Sequence, residues 1–538
     1  MINLQILLGI RTRLDCQLEN HHIALLRSLH YERFRKAIYE ACSQTRHELL
    51  QGNSELLLYE LSSYEIELSI NQRYALALLN NIKFRKILAL SSLQNRSVFF
   101  PLPKQWVRAF AGQGFRITQN GSQISWRFFQ FAYLIQNIFN YFTNRIRELA
   151  DSIRMGSPYD VSLQSEIVIF GLNDRSLSSN QYSAPNFVDW LKMKMLVGEN
   201  AWIQHDLRTL QSETAANRSN LYYSKNFVPV GSVVSTFTHS FTFILFLLKT
   251  IFKYPKHSFK LLVSIEGLYQ TKRIRSHACR VKKVFFPNSQ YILKPIWVLA
   301  IEKQGIEVVF FHYAVWTEPQ RKEDTQNIDG FWELANWKTC WVIDEYQKQE
   351  MLKALHWNKP DVIVTGVPFM GGKELFLPET HTPFIAVFDT YIRSRKIYGC
   401  GHMDELGWDD PKIEKKFIES ILSIAVQYNV KVMHKKKRNV KERIDFTQDE
   451  NYLDLKESFE ENYIMLDPDF SVESVISQAK VVISKPISTT GIIASQLGVD
   501  SFYFDPTQSI MPNDTGLRGI TLLHTQSDLY NALSRVIT

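Results

Sequence analysis

From about residue 260 to the C-terminus, short apolar runs alternate with helix-period segments, and this constrains the fold more than any other feature. "KKVFFPNS", "IEVVFFHYA", "CWVID" and "DVIVTGVP" read as strands, as does "KLLVSIEG", which ends at Glu266-Gly267. "YILKPIWVLAIEKQG" and "EYQKQEMLKALHW" between them carry helical spacing. Strands that alternate with helices imply βαβ units and parallel sheets. A Pro/Gly-rich link, "GVPFMGGKELFLPETHTP" at 366–383, interrupts the pattern, and a second run follows at once. Its strands are "FIAVFDTYI", "VKVMHKKKR", "ENYIMLDP", "KVVIS" and "VDSFYFDP". The expected class is α/β, with two doubly wound domains facing a cleft. A chain of 538 residues is too long for one ordinary core, in keeping with that division. Residues 1–95 read as an extra, mainly helical region, and Asn120-Gly121 reads as a hairpin turn.

The formal net charge is +8, which suits nucleotides, nucleic acid or a lipid surface without selecting one. Aromatic and basic residues are not interleaved in a nucleic-acid motif, so nucleic acid is not expected as a partner. Five cysteines show neither CxxC pairing nor zinc spacing, which implies a reducing compartment, no disulfide framework and no structural metal. "MINLQILLGIRTRLDC" places its charges behind the apolar run, the reverse of a signal peptide. Val234 to Phe252 is nearly long enough to cross a bilayer, yet it contains His239, Lys249 and several hydroxyls. A core helix, an interfacial helix and a span all fit it. With the aromatic stretch that begins at Trp126, it raises the prospect of contact with a membrane surface.

In doubly wound sheets, ligands bind beyond the carboxyl ends of the strands. Two such ends in the C-terminal half are chemically loaded. His434, Lys435, Lys436, Lys437 and Arg438 follow "VKVM", either as a phosphate-neutralising cluster or as a solvated basic loop. Ser488, Thr489, Thr490 and Gly491 open the helix after "KVVIS". A helix N-terminus offers unsatisfied N–H groups and partial positive charge, so these residues form either a phosphate cradle or a plain cap. Asp389 and Asp505 close two further strands, as acceptors for ribose or base groups or as turn formers. Glu266 and His312 are candidate general bases, or polar loop residues.

These features together resemble a GT-B glycosyltransferase, with two Rossmann-like domains and the donor phosphates on the C-terminal one. The chain resembles the bacterial surface-polysaccharide biosynthesis family named for its Pro-Phe-Thr-Ser motif. The matching residues are Pro486-Ile487-Ser488-Thr489, Val387-Phe388-Asp389, Lys435 to Arg438, "VFFPLPKQWVRAF" and Phe187 to Trp190. Ile487 stands in the place of Phe, and Ser488-Thr489 reverses the hydroxyl order. The basic cluster is distantly similar to the His-Pro element of CMP-sugar-dependent sialyl- and Kdo-transferases, with Lys435 in the place of Pro. The resemblance implies an acceptor domain at 96–370, with aromatic helical insertions, and a donor domain at 371–538. It implies a metal-independent enzyme that transfers sugar from a nucleotide-sugar, such as a CMP-sugar, to a glycan or lipid-linked glycan. No other cofactor is expected. The setting would be the cytoplasm, at the inner face of the cell membrane. His434, Lys436, Lys437 and Arg438 would neutralise the donor phosphates, and Ser488 to Gly491 would cradle them, with Asp389 nearby. A CDP-alditol phosphotransferase, a sugar-nucleotide epimerase and a non-catalytic membrane-assembly protein are the alternatives.

Overall fold

A computed structural model describes residues 31–51, 57–58, 61–79, 84, 88, 97–155, 167–170, 183–195, 203–206, 221–223, 233–277, 281–286, 294–313, 315, 330–377, 383–389, 411–436 and 450–538. The described residues open with α1 (Tyr31–Gln51), α2 (Ser63–Leu79), α3 (Lys104–Gly112) and α4 (Gln119–Met155). A first α/β run follows: β1 (Ile167–Phe170), α5 (Phe187–Met195), β2 (Ile203–Asp206), β3 (Leu221–Tyr223), α6 (Val233–Lys253), α7 (Ser258–Val263), α8 (Ile265–His277), β4 (Lys283–Phe286), α9 (Ile296–Glu302), β5 (Glu307–His312), β6 (Thr339–Val342), α10 (Glu345–Ala354) and β7 (Asp361–Val364). The second comprises β8 (Phe384–Phe388), α11 (Pro411–Gln427), β9 (Lys431–Lys435), α12 (Glu450–Ser458), β10 (Tyr463–Leu466), α13 (Val472–Ile476), β11 (Val481–Ser484), α14 (Thr489–Gln496), β12 (Ser501–Phe504), β13 (Thr521–Leu523) and α15 (Gln526–Ile537).

Apart from a two-stranded antiparallel pair, Leu57–Leu58 with Leu61–Ser62, the described residues form two larger sheets, both wholly parallel. Their orders are β3-β2-β1-β4-β5-β6-β7 and β10-β9-β8-β11-β12-β13. Each therefore reverses its winding once, between β1 and β4 and between β8 and β11. This is the α/β, GT-B-like class of two Rossmann-like sheets. All residues of β8 and β11 are buried, as strands covered on both faces require.

Side-chain alternation builds the cores. Phe286, Val308, Phe310 and Val342 face a cluster with α1 and α3, so the N-terminal helices share a core with the first sheet. Phe285, Val309, Phe311 and Trp341 point the other way, against Trp190 of α5 and against Ile487, Tyr503 and Leu517 from the second run. The two sheets thus meet through a continuous apolar cluster. At its edge Arg518 pairs with Asp344, the cap of α10, and its guanidinium lies 4.7 Å over the Tyr346 ring.

Two local expectations are corrected. Asn120-Gly121 is no hairpin: both lie in the first turn of α4, where 37 residues of helical period outweigh one turn dipeptide. Glu266-Gly267 does not end a strand. "KLLVSIEG" forms α7 and the start of α8, and Leu261, Ile265, Leu268 and Tyr269 pack as a helical stripe against Tyr141 and Phe243. Among the described residues, no helix is long and apolar enough to cross a membrane.

The link after β7 binds back onto the second unit. Lys373 N–H donates to Asp469 O at 2.8 Å, and Ser471 N–H donates to Lys373 O at 2.7 Å. Met370 N–H donates to the Glu473 carboxylate at 2.7 Å, and burial raises that carboxyl above its ordinary range. Gly372 has φ +124°, and a Cβ there would stand 2.6 Å from Asp469 O.

Candidate functional site

The site is the crevice at the carboxyl ends of β8 and β11, where the second sheet reverses its winding. Parallel α/β sheets open a ligand crevice at such a reversal, because the helices on either side leave in opposite directions. β8 ends at Phe388 beside Ser484, the last residue of β11. Asp389 and the Lys485–Ser488 turn are therefore brought together by register alone.

Ser488 caps α14, its hydroxyl accepting from Gly491 N–H at 3.4 Å. The same hydroxyl donates to Ser484 Oγ at 3.0 Å and lies 3.0 Å from Thr490 Oγ1. Tyr503 O–H donates to Ser488 O at 3.1 Å. Gly491 makes that contact possible, since a Cβ there would lie 2.5 Å from a Tyr503 ring carbon. Ile487 has φ +53°, a conformation costing a β-branched residue on the order of 1–3 kcal/mol. Its side chain is buried in the cluster shared by the two sheets.

A buried polar group underlies the turn. Lys485 Nζ pairs with Glu414, in the first turn of α11, and both side chains are nearly inaccessible. His434 Nε2 lies 3.3 Å from Asp389 Oδ2, and its Nδ1 lies 2.7 Å from Tyr463 Oη. Lys435 Nζ donates to Pro468 O at 3.0 Å. Ligand atoms of Asp389, Glu414 and His434 all lie within 4.8 Å of one another, so this trio could hold a cation. The Lys485 ammonium already occupies one of its carboxylates.

The structure therefore gathers Asp389, His434, Ser488, Thr489, Thr490 and Gly491 around one strand-end crevice. His434 is wholly buried rather than solvent-facing, and Lys436 is half-buried just past β9. Lys437 and Arg438 lie outside the described residues. Asp505 is a turn former: its carboxylate accepts from Thr507, Ser509 and Ile510 N–H at 3.0, 2.7 and 3.0 Å. Glu266 is not gathered with them. It lies in the helical layer, with its carboxylate 2.9 Å from Arg145 and 3.0 Å from Gln270, and burial raises its pKa.

His312 ends β5 of the first sheet, packed edge-on to Trp332 at 5.6 Å. Burial lowers its pKa to about 4. The folded imidazole is thus neutral where an unfolded one, near 6.5, takes a proton. Its stabilising contribution is full above pH 6.5 and is lost as pH falls towards 4. Between pH 7 and 5 the wild type should lose about 2 kcal/mol more unfolding free energy than His312→Phe. Urea unfolding of both at the two pH values measures this, and equal losses would refute it.

Lys485 and Glu414 escaped the sequence reading. The available signal was topological: in a doubly wound sheet, the residue after β11 and the first turn after β8 must be neighbours.

A family model described as polysaccharide biosynthesis PFTS motif protein matches residues 246–533. No curated protein matches the chain. Among solved structures, the UDP-GlcNAc 2-epimerase of Methanocaldococcus jannaschii is similar at 11% identity and a TM-score of 0.37, over 69% of this chain and 92% of that one. The calicheamicin glycosyltransferase aligns at 11% identity and 0.34, over 70% and 90%. A lipopolysaccharide outer core galactosyltransferase aligns at 11% identity and 0.33, over 69% and 90%.

Proposed function

Given that the chain belongs to the polysaccharide biosynthesis PFTS motif family, we propose that it transfers a sugar from a nucleotide-sugar donor to a bacterial surface-polysaccharide acceptor. The observation that carries this reading is the Lys485–Gly491 turn at the winding reversal of the second sheet. Glycosyl transfer leaves negative charge on the departing nucleotide phosphate, and donors fixed in advance stabilise that charge most effectively. The amino end of α14, with Ser488, Thr489, Thr490 and the Gly491 backbone, supplies such donors. Lys436, Lys437 and Arg438 would add cationic neutralisation from the end of β9. His434 would act from beneath, by fixing Asp389 through their 3.3 Å contact.

The acceptor proton would go to His312 at the carboxyl end of β5, whose imidazole is neutral at cellular pH, while Glu266 stays bound to Arg145 in the helical layer. The reaction would need no metal, with Lys485 already paired to Glu414, one of the three residues that could otherwise hold a cation. It would run in the cytoplasm, at the inner face of the cell membrane, on a glycan or lipid-linked glycan.

A thermal-shift panel of CMP, CDP, UDP and GDP, each with and without EDTA, tests the reading. One nucleotide should raise the melting temperature of the wild type irrespective of EDTA. Ser488→Ala should weaken that nucleotide about tenfold, the scale of one charge-assisted hydrogen bond. Absence of any shift would sink the transferase reading, and equal shifts in both proteins would move the phosphate site elsewhere.

A further inference from the structure

Helices α4 and α6 expose far more apolar surface than a packed layer should. On α4, Phe128, Phe131, Ile135, Phe139, Phe142 and Ile146 are all exposed, Phe128 to 70%. On α6, Phe237, Phe241, Leu245, Leu248 and Phe252 are exposed, Phe252 to 83%. Each set recurs every three or four residues, so each forms one narrow stripe along its helix. The α4 set alone runs for about 27 Å at helical rise. The opposite faces are satisfied: Tyr141 of α4 and Phe243 and Leu247 of α6 are buried together with Tyr269 of α8. The stripes are therefore surplus to the fold. Exposed patches this long mark interaction sites.

Charge distinguishes the occupants. The exposed described residues of α4, of α6 and of the turn that follows include Arg127, Arg147, Lys249, Lys253 and Lys256, and no Asp or Glu. A second copy placed face to face would set these cations against themselves. An anionic surface would neutralise them, while its apolar interior received the aromatic stripe. Neither helix is long and apolar enough to cross a bilayer. An apolar stripe flanked by lysine and arginine is the pattern of helices that lie in the headgroup plane.

We propose that α4 and α6 form a docking face that seats this chain in the plane of an anionic lipid bilayer. The face uses none of the residues at the β8–β11 crevice, so it stands whether or not the donor reading holds. It gives the inner-face placement a physical surface.

The test is co-sedimentation of the full chain with sucrose-loaded phosphatidylcholine vesicles, with or without about 30% phosphatidylglycerol, in the absence of nucleotide. Wild type should pellet with the anionic vesicles and dissociate at high salt. Phe139→Ser combined with Phe241→Ser should reduce the partition coefficient at least about tenfold. Lys249→Glu combined with Lys253→Glu keeps every residue of the apolar stripes, losing only the Lys253 ammonium's 5.1 Å contact over the Tyr254 ring, and it should abolish the preference for anionic over neutral vesicles. These charge variants decide the matter if the aromatic ones fail to fold. Failure of the wild type to pellet, or binding unchanged by both pairs, overturns the proposal. So does a vesicle-free dimer, seen by light scattering, that the Phe variants dissolve.

Discussion

Replacing Lys485 with methionine is expected to lower the unfolding free energy by about 3–5 kcal/mol, because it strands the Glu414 carboxylate in a buried site. The Glu414 partner oxygen loses its cation, and among the described residues its other oxygen, Oε1, has no hydrogen-bond partner. Removing both charges tests this physics. Lys485→Met with Glu414→Leu should recover most of the loss, since a buried pair and an apolar pair of similar volume differ little. Urea unfolding of the four proteins gives the coupling energy, and additive losses would refute the pairing. The double variant also separates two roles. If it regains stability yet gives no nucleotide shift, the ammonium serves the donor as well as the fold.

Gly372→Ala should destabilise by about 2–4 kcal/mol, the sum of a backbone penalty and an overpacking penalty. At φ +124° an L-residue is strained whatever the space, and here the new methyl also meets backbone atoms, Asp469 O at 2.6 Å and Ser471 N at 2.9 Å. Backbone cannot rotate away as a side-chain tip would. The link is also tied to the first unit, where Ala184 N–H donates to Gly372 O at 3.2 Å. Proteolysis should therefore cut the variant faster within 366–377, while the wild type resists. Equal cleavage and equal stability would show that the link is not held by this contact.

What could be read in advance follows from how far each interaction reaches along the chain. β8 and β11 were visible because a strand buried on both faces must be apolar throughout, and "FIAVF" and "VVI" are. The Ser488 cap was visible because its partner, Gly491 N–H, is three residues away. "KLLVSIEG" was misread because a short apolar run fits strand and helix alike; only its four-residue spacing to Tyr269 points to the helix. Gly121 has a turn former's identity but sits in a helix, where a Cβ would come within 3.2 Å of Phe99 Cβ. The Lys485–Glu414 pair joins residues 71 apart, so no local pattern could announce it. The stripes on α4 and α6 were legible as apolar helices, but which side would be left uncovered depended on where α8 came to rest.

Ile487 holds an unfavourable backbone angle while its side chain is buried in the apolar cluster that also contains Trp190, Phe311 and Trp341 of the first unit. The turn at the amino end of α14 therefore shares its packing with the first sheet. Cut free at the link, the second unit would relax Ile487 and lose the prearranged donor geometry, even with every cradle residue intact.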